Sequence, residues 1–439
     1  MNRSEVLPAS RYASRPVLQY RIFSRAFFLA ILFLASCHRV TPVTGLRQRG
    51  YLWQRDWTSA VADAVVEADR HVDGLVVLGA EIQWTGGKPD PVRATISWPT
   101  MKASKKPWAI ALRIAPYPGP FVGNDLSTLT IVNEASRLIQ EAKNHEVNLD
   151  EFQLDFDCAQ KKLAGYQIWV RAVRAVVQPL RFVITTLPSW LDEPDFLELI
   201  SQSEAYVLQV HSIPTVKEIG RTVLCDSGLA RNWVAKASKL AHPFIVSLPT
   251  YRCVAGYDPQ GNLLGVSMDS VGPAWPRGTR VLEFDTDADE LANLVNDWRT
   301  NRPPNLSGLI WYRIPVSTDR RNWRWPTLCA VMEGRRPSHR LEVFRKGVNP
   351  VDLSISNVGE ADTPVDCEVS VTWTDRTLVA SDALPGWQFR GGSGRAFFTS
   401  DSRRGLRLSP GAKVDIGWLR YDQAPALNMQ VSEKTPATP

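Results

Sequence analysis

Residues 151–160 read EFQLDFDCAQ, an apolar run that carries Asp155 and Asp157 two positions apart near its end. Burying a carboxylate is costly unless it is paired or protonated, so two of them at the end of a core strand ask for a role. Side chains on a strand alternate between faces, which sets Gln153, Asp155 and Asp157 on one side and Phe152, Leu154 and Phe156 on the other. The same alternation aligns Gln209 with His211 and Trp311 with Arg313, while Glu81, Arg113 and Tyr251 stand at or near the ends of further strand-like runs. Glycoside hydrolysis needs a protonated carboxyl as acid and a second carboxylate as base or nucleophile. Asp157 and Glu81 fit those roles, with Asp155 beside them. Trp53, Trp84, Trp190 and Trp311 lie near strand ends, where an aromatic face can stack on a sugar ring. A structural alternative has Asp155 paired with Arg113 or Arg313 in an internal ion network. The six histidines show no H-x-H or H-E-x-x-H spacing and no C-x-x-C occurs, so neither a metal nor another cofactor is expected. A metal-dependent hydrolase on Glu81, Asp155 and Asp157 is weakened by that lack of histidine ligands.

Positioning such residues requires a scaffold that brings many strand ends together. From residue 51 to about 335, eight strand-like runs alternate with helical periodicity: 51–57, 74–84, 108–114, the FQLDFDC run, 181–190, 205–212, 244–251 and 307–315. Between them, Ile131, Val132, Ala135, Leu138, Ile139 and Ala142 keep the spacing of one helical face, and Leu163, Tyr166, Trp169, Val170, Val173 and Val177 keep another. That count and length predict an α/β fold, a (β/α)₈ TIM-like barrel, whose chemistry sits at the C-terminal ends of its strands. A doubly wound sheet would place a glycine-rich phosphate loop after the first strand, and WQRDWTSA has none. Residues 338–422 switch to short alternating runs such as CEVSVTWTD and KVDIGWLRY, which predict a small antiparallel, Ig-like β-sandwich. The stretch 423–439 reads as a disordered tail.

The first 36 residues have a different character. Five arginines precede AFFLAILFLAS, an apolar run too short to span a bilayer and suited to a secretion signal. Leu34-Ala35-Ser36-Cys37 resembles a bacterial lipobox, which implies acylation of Cys37, a linker over 37–50, and lipid anchoring in the cell envelope. His38 in place of an aspartate points to the outer membrane, facing the periplasm or the exterior. The signal carries +4 of the chain's +6, so the remainder is near neutral and no Lys/Arg block in the body suggests nucleic acid. Five cysteines remain, an odd number. Cys225 and Cys253 follow the sixth and seventh strands and could meet as a disulfide.

The motifs WQRDW, LGAEIQW, QLDFDC, TTLPSWL, LQVHS, LPTY and IWYRIP together resemble a bacterial secreted family known as domain of unknown function 3142, over about residues 50–330. More remotely, QLDFD resembles the chitinase-type motif, in which alternate aspartates lead to a catalytic glutamate two positions further on. Here Ala159 stands at that position. The resemblance implies a sugar-like ligand stabilised by Asp155 and Asp157. Two functions follow: a glycosidase acting on a cell-envelope or extracellular polysaccharide, or a carbohydrate- or peptidoglycan-binding lipoprotein without catalysis. Both expect a carbohydrate partner held by Trp53, Arg113, Trp190, Gln209, His211, Tyr251, Trp311 and Arg313.

Overall fold

A computed structural model of the chain describes residues 45–213, 223–268, 274–401 and 405–433. The signal segment, Cys37 and most of the linker lie outside the described residues. Eight parallel strands close on themselves: β1 (Arg47–Leu52), β2 (Gly74–Thr85), β4 (Trp108–Ile114), β5 (Leu149–Phe156), β6 (Arg181–Thr186), β7 (Ala205–Gln209), β8 (Phe244–Pro249) and β12 (Leu306–Tyr312). Closure comes from β1, which pairs in parallel with both β2 and β12. Between the strands run helices such as Leu126–Asn144, Leu163–Val177 and Ala288–Thr300. The expected (β/α)₈ barrel is the fold. Its first strand begins at Arg47, so the last part of the expected linker is barrel wall.

Two layers of apolar side chains follow from strand alternation. Outward, Leu75, Val77, Leu112, Phe152, Leu154, Phe156, Ile184 and Leu208 pack beneath the helices. Inward, Val76, Ala109, Ala111, Val183, Val207, Ile245 and Ile310 fill the lumen beneath Tyr51. A register shift at Gly79 in β2 keeps Glu81 on the lumen side beyond it. A Cβ at Gly79 would come within 2.8 Å of Ile110 and Leu138, so only glycine fits that bulge.

Two additions were not read from the sequence. The hairpin strand β3 (Lys88–Arg93) runs antiparallel to β2, and β9 (Cys253–Tyr257), β10 (Leu263–Ser267) and β11 (Arg280–Phe284) form a separate antiparallel sheet after β8. Their small core holds Cys253, whereas Cys225 packs with the main barrel core. Both are free thiols, so the expected disulfide is not formed.

The C-terminal part contains two four-stranded antiparallel sheets. One runs β13 (Leu341–Lys346), β14 (Val351–Asn357), β21 (Lys413–Tyr421) and β17 (Leu378–Ala383); the other runs β18 (Trp387–Gly392), β19 (Arg395–Ser400), β16 (Cys367–Trp373) and β22 (Leu427–Glu433). Val351, Leu353, Ile355, Val369, Val371, Phe398, Ile416 and Leu419 form their shared core. The expectation of a disordered stretch from Gln423 is corrected by β22, which pairs with β16 along all seven of its residues. Leu427, Met429 and Val431 alternate toward the core, and that burial explains why the segment is ordered. Arg252, just past β8, donates to Asp362 at 2.8 Å and ties barrel to sandwich.

Candidate functional site

Strand register assembles the mouth of the barrel. Glu81 on β2 pairs with Arg113 on β4, and Arg113 with Asp155 on β5, so three charged side chains form one row. Thr185 on β6 continues it by donating from Oγ1 to Asp155 Oδ1 at 2.6 Å. Glu81 also receives Arg55 at 2.6 Å and Gln83 at 3.2 Å. Burial opposes the charge on Arg113, but Asp155, Tyr312, Glu81 and Asp157 outweigh it and hold the guanidinium firmly protonated.

Asp157 stands one step above this row, just past the end of β5. Its side chain reaches solvent through the mouth, yet enough protein surrounds it to penalise its charge. Desolvation, then the neighbouring Asp155, raise its pKa to about 6 against the pull of Arg113. No hydrogen bond or ion pair to Asp157 is formed among the described residues. The next residue, Cys158, is buried, and desolvation lifts its thiol to about 12, which leaves it an inert core group. Ala159 is exposed ahead of the turn Gln160–Lys162 and adds no acid.

Opposite the carboxylates lies an aromatic cluster centred on Tyr312. Its ring lies 5.8 Å from Tyr51, 5.5 Å from Trp53, 5.7 Å from His211 and 5.6 Å from Tyr251. Burial pushes the Tyr312 phenol up to about 12, so it stays neutral and able to donate. His211 is buried, with Nε2 3.2 Å from Ser247 Oγ and Nδ1 without a partner. Desolvation lowers its pKa to about 3, so the imidazole is neutral. Gln209, on the same face of β7, donates to the His211 carbonyl at 3.3 Å.

Asp155, Asp157, Glu81, Arg113, Gln209, His211, Tyr251 and Trp53 are therefore gathered at one end of the barrel. Four expected members are elsewhere; the first, Trp84, stacks on Tyr117 at 4.6 Å and packs against the outer core. Trp311 is fully buried on the outer face of β12, packed near Trp323 and donating from Nε1 to Gln48 at 2.9 Å. The alternation on β12 runs opposite to the expected phase, because Leu309 and Trp311 fill the space under the helices and leave Ile310 and Tyr312 for the lumen. Arg313 consequently leaves the mouth, pairs with Asp319 and lines a separate surface cavity with Gln54 and Asp56. Trp190 is also fully buried, between Tyr166 and Phe196, and donates to the Cys158 carbonyl at 3.0 Å. It belongs to the outer core and has no face open to the mouth. Tyr312 and Tyr51 were missed. Treating Trp311 as an apolar, outward residue like Leu309 would have exposed Tyr312, and Tyr51 shares the phase of Trp53.

Lower in the lumen is a second group that the sequence reading missed. Glu151, fully buried, accepts from Arg181 at 2.7 Å and from Gln153 at 2.6 Å, and pairs with Arg49 at 3.3 Å. Gln153 in turn accepts from the Tyr51 hydroxyl at 2.8 Å. Arg49 also reaches Asp150 at 3.1 Å, so the Glu151 carboxylate is held by donors on every side, while Arg49 Nε is left without a partner.

The fold is a (β/α)₈ barrel with an acidic, aromatic mouth at the C-terminal ends of its strands. Residues 123–317 match the family model described as "Domain of unknown function (DUF3142)", which includes the QLDFDC strand and is shorter than the span suggested by the motifs. None of the curated proteins matches the chain. Among solved structures, the chain is similar to the spore cortex-lytic enzyme SleL of Bacillus megaterium, with 13% identity over 67% of this chain and 76% of that one and a TM-score of 0.45. A chitinase from Chromobacterium violaceum gives 10% identity, 66% and 98% coverage and a TM-score of 0.44. A chitinase from Rhizomucor miehei gives 14%, 65%, 99% and 0.43.

Proposed function

We propose that this chain is a glycosidase that takes a cell-envelope or extracellular polysaccharide into the C-terminal mouth of its barrel. One observation carries the reading: Asp157 stands beside Asp155, without a partner among the described residues, in a mouth open to solvent and faced by aromatic rings, where desolvation and Asp155 raise its pKa to about 6. In this scheme Asp157 gives its proton to the glycosidic oxygen as the C–O bond breaks. The carboxylate of Asp155 stabilises the positive charge that develops on the sugar. Glu81 takes a proton from the water that adds to the anomeric carbon. Trp53 and Tyr312 offer rings for stacking.

Incubation with chitin oligomers and with peptidoglycan, with products read by mass spectrometry, tests the scheme. Cleavage by the natural chain that disappears in Asp157→Asn supports it. Binding without cleavage in both favours the second reading, a carbohydrate-binding barrel, whose support is Ala159 at the position of the acid in chitinase-type motifs. Neither cleavage nor binding would remove both.

The same proposal sets the protein at the bacterial cell envelope, anchored through an acylated Cys37 to the outer membrane. Cys37→Ser should abolish incorporation of labelled fatty acid; undiminished labelling would end the anchoring idea.

A further inference from the structure

The open face of the second sheet of the sandwich has a chemistry unlike the rest of its surface. Register places Arg390, Phe397, Ser370 and Gln430 in one row across β18, β19, β16 and β22. The adjacent row continues through Arg395, Thr372 and Asn428. Inward neighbours such as Val369, Val371 and Phe398 belong to the core, so these rows face solvent. Both arginines lie over the same ring, with Cζ 4.6 Å from the Phe397 centroid for Arg390 and 5.9 Å for Arg395. Glu368 stands 3.8 Å from Arg390, while Arg395 makes no hydrogen bond or ion pair among the described residues.

A guanidinium laid on an aromatic ring is held flat at little entropic cost and keeps its N–H edge free. That edge matches a carboxylate, with two parallel donors to two oxygens. Around the pair are amides and hydroxyls, the groups that exchange hydrogen bonds with sugar hydroxyls. Four strands at about 4.8 Å spacing make the platform about 14 Å across, wide enough for a short stretch of glycan. Protein interfaces are built on exposed apolar anchors, but the aromatic side chain here is already covered by its arginines. Lipid surfaces favour many cations over two.

We propose that this sheet face binds an anionic, carboxylate-bearing polysaccharide, with Arg390 and Arg395 as a paired fork on Phe397. The site is separate from the barrel mouth and does not depend on the reaction proposed there. Affinity electrophoresis of the full chain through gels containing polygalacturonate should show retardation that is absent in neutral dextran. The Arg390→Ala/Arg395→Ala double variant should weaken it by about tenfold or more. Arg390→Lys/Arg395→Lys, which keeps charge but loses the planar fork, should fall close to the alanine variant. Arg420→Ala, on the other sheet of the sandwich, should be retarded like the natural chain. Undiminished retardation of either double variant would overturn the proposal. So would an effect of these substitutions confined to phosphatidylglycerol vesicles, which would assign the arginines to a membrane.

Discussion

The two ends of β5 carry the same chemistry to opposite purposes. At the floor, Glu151 is fully buried and satisfied by Arg49, Arg181 and Gln153. At the mouth, Asp155 receives one hydroxyl and Asp157 receives no described partner. A carboxylate surrounded by donors serves the fold, and removing it strands its cations. A carboxylate left without donors costs the fold something, and the function proposed above would give it a use. Six positions along the chain separate Glu151 from Asp157, in keeping with the division between stability at one end and chemistry at the other that this barrel type favours.

Substitutions can break this contrast, and the largest effect should come from the floor. Glu151→Gln removes the buried charge shared by Arg49 and Arg181, leaving Arg49 only Asp150, and should cost about 3 to 5 kcal/mol in a urea melt. A loss under about 1 kcal/mol would mean that the network is ornamental. Trp190→Ala should lose stability to a similar or slightly smaller extent, about 3 to 4 kcal/mol, with saccharide binding per folded molecule unchanged. Weakened binding would return Trp190 to the ligand site. Asp155→Ala removes the acceptor of Thr185 and one compensating charge of Arg113, for an intermediate loss of about 1 to 3 kcal/mol.

Asp157→Asn should have the smallest effect on stability, and in the opposite direction. The folded carboxyl titrates at about 6, above its ordinary 3.8, so the protonated form is favoured by folding. Its stabilising contribution is complete below about pH 3.8 and is lost as pH rises through about 6. The variant should therefore melt higher than the natural chain at pH 7 and the same at pH 3.5, while hydrolysis is lost. If it melts lower at pH 7, Asp157 supports the barrel and is not its acid. Hydrolysis by the natural chain should decline above about pH 6 as the acid deprotonates.

The phase of β5 was readable because Phe152, Leu154 and Phe156 alternate so sharply with polar residues. That of β12 was not, since Trp311 and Tyr312 are both aromatic and only the packing around them decides which one turns inward. The floor escaped notice for a different reason. Glu151, Arg49 and Arg181 come from three strands, and local periodicity says nothing about which strands become neighbours. The two prolines of KPDPVR disfavour a central strand, and β3 is an edge strand, where a missing N–H is tolerated. Pro425 and the polar residues beyond β22 likewise masked the alternation of Leu427, Met429 and Val431.

The position of β22 also bears on how the protein is made. β16 lies between β19 and β22, so until residues 427–433 have been synthesised one edge of β16 is open, with Val369 and Val371 beside it. The barrel can be complete well before that moment, because its last strand ends at Tyr312. A ribosome working through the sandwich thus carries a finished barrel followed by a sheet with an unguarded edge, and a chain cut short before residue 427 would present that edge to any neighbour.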